Sequence, residues 1–192
     1  MEDLLEQFPK ELSLKDGSNC VIRPLERTDE ESFYTFFQAI PERERMFIKH
    51  RVADRAVIRD WCQNIDPGRN LALLAFSSTG QILGDATLHQ QLGGWRRHIG
   101  RLSVLVHPNF RGQGLARSLI NELIEIASQA GLSKVEAEFI GEQTAGMRVF
   151  EMLGFAPLIR LPSYVRDMQA VDHDYILMGL DLKTDEEYAG VG

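Results

Sequence analysis

The stretch HPNFRGQGLARSLINEL, residues 107–123, joins a glycine-containing loop to a strongly amphipathic segment. Apolar residues recur at spacings of three and four from Leu115 onward, which predicts a helix that ends at Gly131. Gly112 and Gly114 stand at the expected start of this helix. The first backbone N–H groups of a helix lack intrahelical partners, and the helix dipole adds partial positive charge there. Because the glycines leave this approach open, the stretch predicts a main-chain site for a phosphate group.

The glycine loop does not match the common nucleotide-binding signatures. The ATP-binding loop requires a Lys and a hydroxyl residue directly after its last glycine, and Leu115 follows Gly114 instead. The dinucleotide fingerprint requires a third glycine where Arg117 stands. On the glycines alone, a plain connector between a strand and a helix is the preferred interpretation.

Composition and charge exclude several classes of protein. The chain has 192 residues, of which 44% are hydrophobic, and this suits one domain with a sizeable core. A net charge of −7 and a pI near 5.3 argue against nucleic acid or an anionic membrane as a partner. Cys20 and Cys62 lack metal-ligand spacing, so we expect no metal site. The acidic start of the chain, interrupted by Pro9, does not resemble a signal peptide, and we expect a cytoplasmic protein.

Apolar periodicity divides the rest of the chain into short strands and four helices. The predicted strands are residues 19–25, 71–77, 82–90, 97–107, 134–140, 155–160 and 175–182, and the predicted helices are residues 28–40, 54–65, 113–131 and 144–153. Three consecutive strands with short links indicate an antiparallel meander, whereas a strand, a long helix and another strand require a parallel pair. We therefore expect an α/β (α+β) fold with a mixed, mostly antiparallel central sheet and helices on both faces. The expected boundaries are a lead-in at 1–18, a single domain at 19–182 and a tail at 183–192, with a polar loop at 161–173.

Two motifs together resemble the GNAT acetyltransferase superfamily. They are VLVHPNFRGQGLA at residues 104–116 and RVFEMLGF at residues 148–155. The acyl-CoA loop of that family has Arg or Gln, two residues, Gly, one residue, and Gly or Ala, and Arg111, Gly114 and Ala116 fit this form. The resemblance implies a GNAT-like sheet whose fourth and fifth predicted strands splay apart into a wedge.

A second resemblance lies nearer the start of the chain. The segment VIRPLERTDEESFYTFFQAIPERERMFIKH, residues 21–50, is more loosely similar to the GNAT domain of bacterial protein-lysine acetyltransferases. That similarity does not identify a substrate.

The superfamily resemblance also implies a cofactor site. Acetyl-CoA is the expected cosubstrate, with its pantetheine arm in the wedge against the backbone of the fourth predicted strand and its pyrophosphate on the N–H groups of the glycine loop. Gln143 replaces a family Asn near the pantetheine, and its longer amide can make the same contact. The implied cofactor-binding residues are Val104, Leu105, Val106, Arg111, Gly112, Gln113, Gly114, Leu115, Ala116, Arg117 and Gln143.

Glu138 is the implied catalytic base. It occupies the position of the catalytic glutamate in a ribosomal-protein N-acetyltransferase branch of the family. An amine must lose a proton before its lone pair can attack, and a base serves that step. Two alternatives are open: Glu138 is only a polar strand residue, or one of His89, His98 and His107 is the base.

Two departures from the family pattern leave a second function open. Arg101 stands where many members carry a glutamate, and Phe150 stands where many carry a tyrosine acid. The first hypothesis is an acetyl-CoA-dependent N-acetyltransferase that modifies a primary amine of a small molecule, a protein Lys or an N-terminus by direct attack in a ternary complex. The second is a catalytically weak or inactive acyl-CoA-binding sensor on the same fold. The expected partners are acetyl-CoA or CoA and an unidentified amine acceptor, and a homodimer is left open.

Overall fold

The computed structural model describes residues 2–45, 48 and 51–182, and the predicted tail at 183–192 lies outside them. The strands are β1 (Lys10–Ser13), β2 (Asn19–Pro24), β3 (Asn70–Ser77), β4 (Ile82–His89), β5 (Ile99–Val106), β6 (Lys134–Ile140), β7 (Ala156–Arg166) and β8 (Asp172–Asp181). The helices are α1 (Glu2–Leu5), α2 (Glu30–Ala39), α3 (Glu42–Arg45), α4 (Arg55–Gln63), α5 (Leu115–Gln129) and α6 (Thr144–Met152). Short 3₁₀ turns at Arg27–Asp29 and Pro108–Phe110 precede α2 and α5.

The strands form one sheet in the order β1-β2-β3-β4-β5-β6-β8-β7. Neighbouring strands are antiparallel except β5 and β6, which are parallel. The connection between these two strands contains α5, because parallel neighbours need a long crossover. The predicted mixed, mostly antiparallel sheet is confirmed.

Helices cover both faces of the sheet, as predicted. On one face α5 packs against the larger apolar cluster and inserts Leu119, Ile120 and Leu123 with no solvent exposure. On the other face α2 and α4 form a second cluster, in which the ring of Phe37 contacts Trp61. Strand β4 lies between the two layers, and seven of its eight residues are buried. Across the described ranges, no helix combines the length and the apolar character that crossing a bilayer requires.

Strand β1 lies in the segment for which the sequence predicts only a lead-in. It pairs with β2 in antiparallel register, with Lys10 opposite Ile22. The Lys10 ammonium also lies 2.6 Å from a carboxylate oxygen of Glu122 on α5. Four residues carry too little periodicity to predict a strand, and the pairing with β2 supplies the missing hydrogen bonds. The chain before β2 is therefore an integral edge of the sheet.

The parallel pair of strands is short. Only Ile99, Gly100 and Arg101 of β5 pair with β6, and beyond Arg101 the two strands separate. A Cβ atom at Gly100 would lie 2.6 Å from a methyl carbon of Leu88 and 2.9 Å from one of Leu132, so a larger residue there would displace these two buried leucine side chains. The expected wedge is therefore present, between β5 and β6.

The prediction of a polar loop at residues 161–173 is wrong. Strand β7 continues to Arg166 and β8 begins at Asp172, so only five residues join them. Strand β7 is the last strand of the sheet and is exposed along almost its whole length, and an exposed edge does not show the alternation by which strands are recognised. A register shift between Leu161 and Val165 accommodates the irregularity near Pro162.

Asp85 is a carboxyl group buried within the sheet. Its cross-strand neighbours are Leu74 of β3 and Leu105 of β5. The Thr87 hydroxyl donates a hydrogen bond of 3.3 Å to one carboxyl oxygen. Burial disfavours the charged form and raises the pKa of Asp85 to about 7, because one hydroxyl cannot replace the lost water.

This buried carboxyl predicts a specific pH dependence of stability. The folded protein retains the Asp85 proton up to about pH 7, whereas the unfolded chain releases it near 3.8, so folding becomes less favourable as pH rises between these values. Asp85→Asn removes this cost and keeps an acceptor for Thr87. We expect the unfolding free energy of the variant, relative to the wild-type protein, to increase between about pH 4 and pH 8 by a few kcal/mol. Urea denaturation across this range measures it, and a difference independent of pH would contradict it.

Candidate active site

The glycine loop forms an open turn at the start of α5. Gly112 and Gly114 have φ values of 76° and 88°, in the left-handed region that favours glycine. Gly114 is the residue that caps α5. A Cβ atom at Gly112 would meet no atom within 4 Å, so space is open beside the first turn. The predicted anion site is therefore accessible at the N-terminus of a 15-residue helix.

Side chains of the loop differ in what they can contribute. Leu115 is buried in the core, so only its backbone N–H is available to a ligand. Arg117 is exposed on the first turn of α5, whereas Gln113 and Ala116 are partly exposed. The chemistry of the loop is consequently that of its main chain with added positive charge.

Lys15 is a neighbour of the loop that sequence reasoning missed. Its backbone N–H donates a hydrogen bond of 3.3 Å to the Gln113 carbonyl. Its side-chain methylene carbons lie 3.6 and 3.9 Å from the position that a Cβ atom at Gly114 would take. The turn between β1 and β2 therefore forms one wall of the loop and brings a lysine to it.

Arg111 holds the loop to two other parts of the fold. Its Nε donates a hydrogen bond of 3.2 Å to the Val106 carbonyl at the end of β5. Its two terminal nitrogens donate to the two carboxylate oxygens of Glu44 on α3, at 3.0 and 2.7 Å. The guanidinium of Arg111 therefore already donates hydrogen bonds to protein groups, and in this arrangement it holds the loop in position.

The free edge of β5 presents backbone groups to the wedge. The N–H of His107 bonds to the Leu83 carbonyl on β4 at 2.8 Å. By alternation, the backbone groups of Leu105 also face β4, whereas those of Val104 and Val106 face the wedge. Val104 therefore offers a main-chain donor and acceptor there, and Val106 offers its N–H, because its carbonyl already accepts a hydrogen bond from Arg111.

Gln143 stands after β6, at the start of α6. Its side-chain oxygen accepts a hydrogen bond of 2.9 Å from the Ile140 N–H. Its own N–H donates to the Ile140 carbonyl at 3.0 Å. The amide oxygen thus closes the turn after β6, so the predicted contact with a ligand would have to come from the amide nitrogen.

Glu138 lies at the closed end of the wedge, in contact with two polar side chains. One carboxylate oxygen accepts a hydrogen bond of 3.1 Å from the Tyr175 hydroxyl on β8. The other lies 3.5 Å from the guanidinium of Arg101 on β5. The side chain of Glu138 is 20% exposed, so it is reachable from solvent but mostly surrounded by protein. Glu138 is therefore part of a polar cluster at the wedge rather than an isolated strand residue.

Tyr175 is the member of this cluster that the sequence did not reveal. Burial, together with the negative charge of Glu138, raises the pKa of Tyr175 to about 12, so its hydroxyl remains a donor at neutral pH. Its proximity to Glu138 depends on the pairing of β6 with β8, in which Ile140 stands opposite Tyr175. An aromatic residue in an apolar strand gives no local signal of this contact.

Phe150, which stands where many family members carry a tyrosine acid, is buried in the core of this protein. The ring is 1% exposed and packs edge-on against Phe139 and Phe155, with centroids 5.2 and 4.9 Å apart. Phe150 is a core residue of α6, and the hydroxyl near Glu138 is supplied by β8 instead.

The histidines considered as bases occupy other environments. His107 accepts a hydrogen bond of 3.3 Å from the Asn109 N–H, and burial lowers its pKa. The ring of His89 contacts Asn70 at 2.7 Å and Ser103 at 3.3 Å. His98 is exposed in the loop before β5. None of these contacts involves Glu138.

The face of the sheet that carries Glu138 is open at its centre. Ser103 of β5 is exposed, although β5 is an inner strand. Beside it, a cavity of about 120 Å³ is lined by residues of the β4–β5 loop, β5 and β6. Arg101 belongs both to the wall of this cavity and to the Glu138 cluster. The carboxylate in the cavity wall is that of Glu136, and Glu138 adjoins the cavity through its ion pair with Arg101, on the face opposite to α5.

A sequence profile of the acetyltransferase (GNAT) family matches residues 28–155. This chain belongs to the GNAT family. Among its curated GNAT relatives, the L-amino acid N-acyltransferase MnaT of Escherichia coli (strain K12) is 28% identical over 113 residues, 56% of this chain and 66% of the relative. The [ribosomal protein bS18]-alanine N-acetyltransferase of the same strain is 27% identical over 137 residues, 70% of this chain and 79% of the relative. The chain thus spans just under two thirds of the length of the first relative.

Solved structures support the fold. The crystal structure of a ribosomal-protein-alanine N-acetyltransferase from Brucella melitensis has a TM-score of 0.74 and 23% identity. It covers 84% of this chain and 99% of its own. The mixed sheet with a wedge is therefore the GNAT fold.

The contact between Tyr175 and Glu138 predicts an unusual phenol titration. Subtracting the absorbance titration of Tyr175→Phe from that of the wild-type protein isolates this phenol, and we expect it to ionise near pH 12. The same subtraction in a Glu138→Gln background is expected to show ionisation at lower pH, because the neutral amide removes a negative charge that opposes tyrosinate formation. Ionisation of Tyr175 near the ordinary value of 10 in the wild-type protein would contradict the contact.

Proposed function

We propose that this chain is an acetyl-CoA-dependent N-acetyltransferase that transfers an acetyl group to a primary amine by direct attack in a ternary complex. The observation that carries the proposal is the convergence of two features on one wedge. The glycine loop opens at the start of α5, directly after β5, and Glu138 stands between Tyr175 and Arg101 where β5 and β6 part. We assign the activity to one domain, residues 19–182, completed by β1.

The residues of the wedge fit acetyl-CoA. The left-handed backbone of Gly112 and Gly114 leaves the first N–H groups of α5 open to a phosphate. The backbone groups of Val104 and Val106 face the wedge, where an extended amide-containing arm can bond to them as a strand would. Arg117 and Lys15 add positive charge near the loop.

Glu138 acts as the base in this proposal. Acetyl-CoA supplies an acetyl thioester, whose C–S bond breaks as the amine nitrogen bonds to the acetyl carbon, and the CoA thiol is released. Glu138 accepts the proton that the amine must lose, and the Tyr175 hydroxyl and the Arg101 guanidinium hold its carboxylate in place. A thiol has a pKa near ~8.5, so the leaving group needs little assistance and the phenylalanine at position 150 is tolerated.

The names of the relatives support an amine acceptor. One is an L-amino acid N-acyltransferase and the other acts on an alanine of a ribosomal protein. Both activities place the acyl group on nitrogen, and we assign the same type of reaction to this chain. The second candidate is a sensor that binds acyl-CoA without turnover, which the arginine at position 101 favours, because it stands where many family members carry a glutamate and its charge is paired with Glu138.

The glycine loop gives a direct test of cofactor binding. Gly114→Glu places a carboxylate on a left-handed residue at the helix start, where it repels phosphate, and we expect CoA affinity to fall by at least about 10²-fold. Gly131→Glu is the matched control, because Gly131 has a similar φ of 81° and lies at the other end of α5. Calorimetric titration with CoA measures both variants. Equal CoA affinity of Gly114→Glu and Gly131→Glu would place the phosphate site elsewhere.

A variant at Glu138 tests the role of its carboxylate in turnover. Glu138→Gln keeps the shape of the side chain and removes its basicity, so we expect kcat to fall by about 10²–10⁴-fold with CoA affinity unchanged. The exposed Glu151→Gln on α6 is the control. Thiol release from acetyl-CoA with a panel of primary amines measures the rate. Tight CoA binding without turnover by the wild-type protein on the whole panel would identify a sensor instead.

A further inference from the structure

Arg101 stands out among the arginines near the wedge because the protein leaves its hydrogen-bonding capacity unused. Its guanidinium donates no hydrogen bond within the described part of the chain, and its Nε is buried without a partner. The nearest carboxylate oxygen, on Glu138, is 3.5 Å away, too long for a good hydrogen bond. Arg96, on the same cavity wall, is by contrast joined to Glu136 by a short ion pair.

Arg101 is ion-paired with Glu138, but its fork of N–H donors can still donate hydrogen bonds to a second anion. Arginine has five N–H donors in a planar fork that matches the two oxygens of a carboxylate. The side chain of Arg101 is 36% exposed, so part of its hydration is lost and part of its fork remains reachable from the cavity. Glu138 balances its charge without occupying the fork. A ligand carboxylate is the group that would complete the hydrogen bonding of Arg101.

The same ligand must also bring an amine to Glu138. The charged groups of Arg101 and Glu138 lie 3.5 Å apart, so a ligand that satisfies both has its own opposite charges close together. An α-amino acid carries its amine and its carboxylate on one carbon atom and meets this condition. A lysine side chain or the N-terminus of a protein has no carboxylate beside its amine and leaves Arg101 unsatisfied.

The cavity provides room for the rest of such a molecule. Its volume of about 120 Å³ suits a small side chain, and His89, Gln90 and Gln91 give its wall hydrogen-bonding groups. Because the cavity lies on the sheet face opposite to α5, the ligand would not compete with a cofactor for the glycine loop.

We propose that the acceptor is a free α-amino acid, with its carboxylate bound by Arg101 and its amine at Glu138. This inference rests on the proposed function and narrows its substrate. The reaction is the transfer already described: the amine loses a proton to Glu138, the amide bond forms, and the products are the N-acetyl amino acid and CoA.

The test compares acceptors that differ only in the carboxylate. Each free L-amino acid is assayed beside its methyl ester and its decarboxylated amine, with acetyl-CoA and thiol detection. We expect kcat/KM for a preferred free amino acid to exceed that of its ester by at least about 10²-fold, because the site is built to hydrogen-bond the missing group. Arg101→Met is expected to bring this ratio close to one, whatever common change in kcat it causes. Arg97→Met, which changes an exposed arginine of the β4–β5 loop outside the cavity wall, is expected to retain the ratio.

Equilibrium binding separates this inference from the proposed function. Calorimetry on the CoA-saturated protein measures affinity for the same amino acids and esters without requiring turnover. Carboxylate-dependent binding that Arg101→Met abolishes, without turnover of any amine, would keep the acceptor assignment and overturn the acetyltransferase proposal. Turnover of esters, simple amines or peptide N-termini at rates equal to those of free amino acids would overturn the acceptor assignment and keep the transferase. Absence of both amino acid binding and amino acid turnover would also overturn the acceptor assignment.

Discussion

The three-residue pairing of β5 with β6 is the constraint on which the rest of the structure depends. The pairing ends at Arg101, and beyond that residue the two strands part. A sheet that stayed paired would satisfy its backbone internally and leave no free edge on β5. The early separation instead leaves main-chain groups of Val104 and Val106 facing a gap between two buried layers. One local feature of strand pairing thus creates both a cleft and the means to hold an extended chain in it.

The charged groups at the closed end of that cleft come from the two strands that form the wedge. Arg101, in the last paired position of β5, and Glu138, two residues beyond the last paired position of β6, form an ion pair across the point of separation. Tyr175 approaches from β8, so three strands contribute to one polar cluster. Such a cluster is mostly buried and retains an unpaired donor, which is costly in a folded protein unless a ligand completes it.

Local patterns in the sequence predicted most of the architecture, and long-range pairing accounts for what they missed. Helix α5 and strands β3 to β6 were predictable because each buries an apolar face at a clear period. The glycine loop was predictable because Arg111, Gly114 and Ala116 fit a known motif directly before an amphipathic helix. Strand β1 and the second half of β7 were not, because short or exposed strands show no alternation. Tyr175 and Lys15 gave no signal, because their neighbours are set by strands far away in the chain.

Two residues that the sequence patterns missed, Lys15 and Tyr175, lie outside the part of the chain that matches the family. The family match ends at residue 155 and begins at residue 28, so it includes the glycine loop and Glu138 but excludes Lys15 and Tyr175. Those two residues come from the hairpins β1–β2 and β7–β8, which also contribute Ile22 and Met178 to the larger apolar cluster. Substitutions at Lys15 or Tyr175 would alter the surroundings of the glycine loop or of Glu138 at positions outside the family match. A profile confined to residues 28–155 therefore records the glycine loop and Glu138 without recording all of the side chains that touch them.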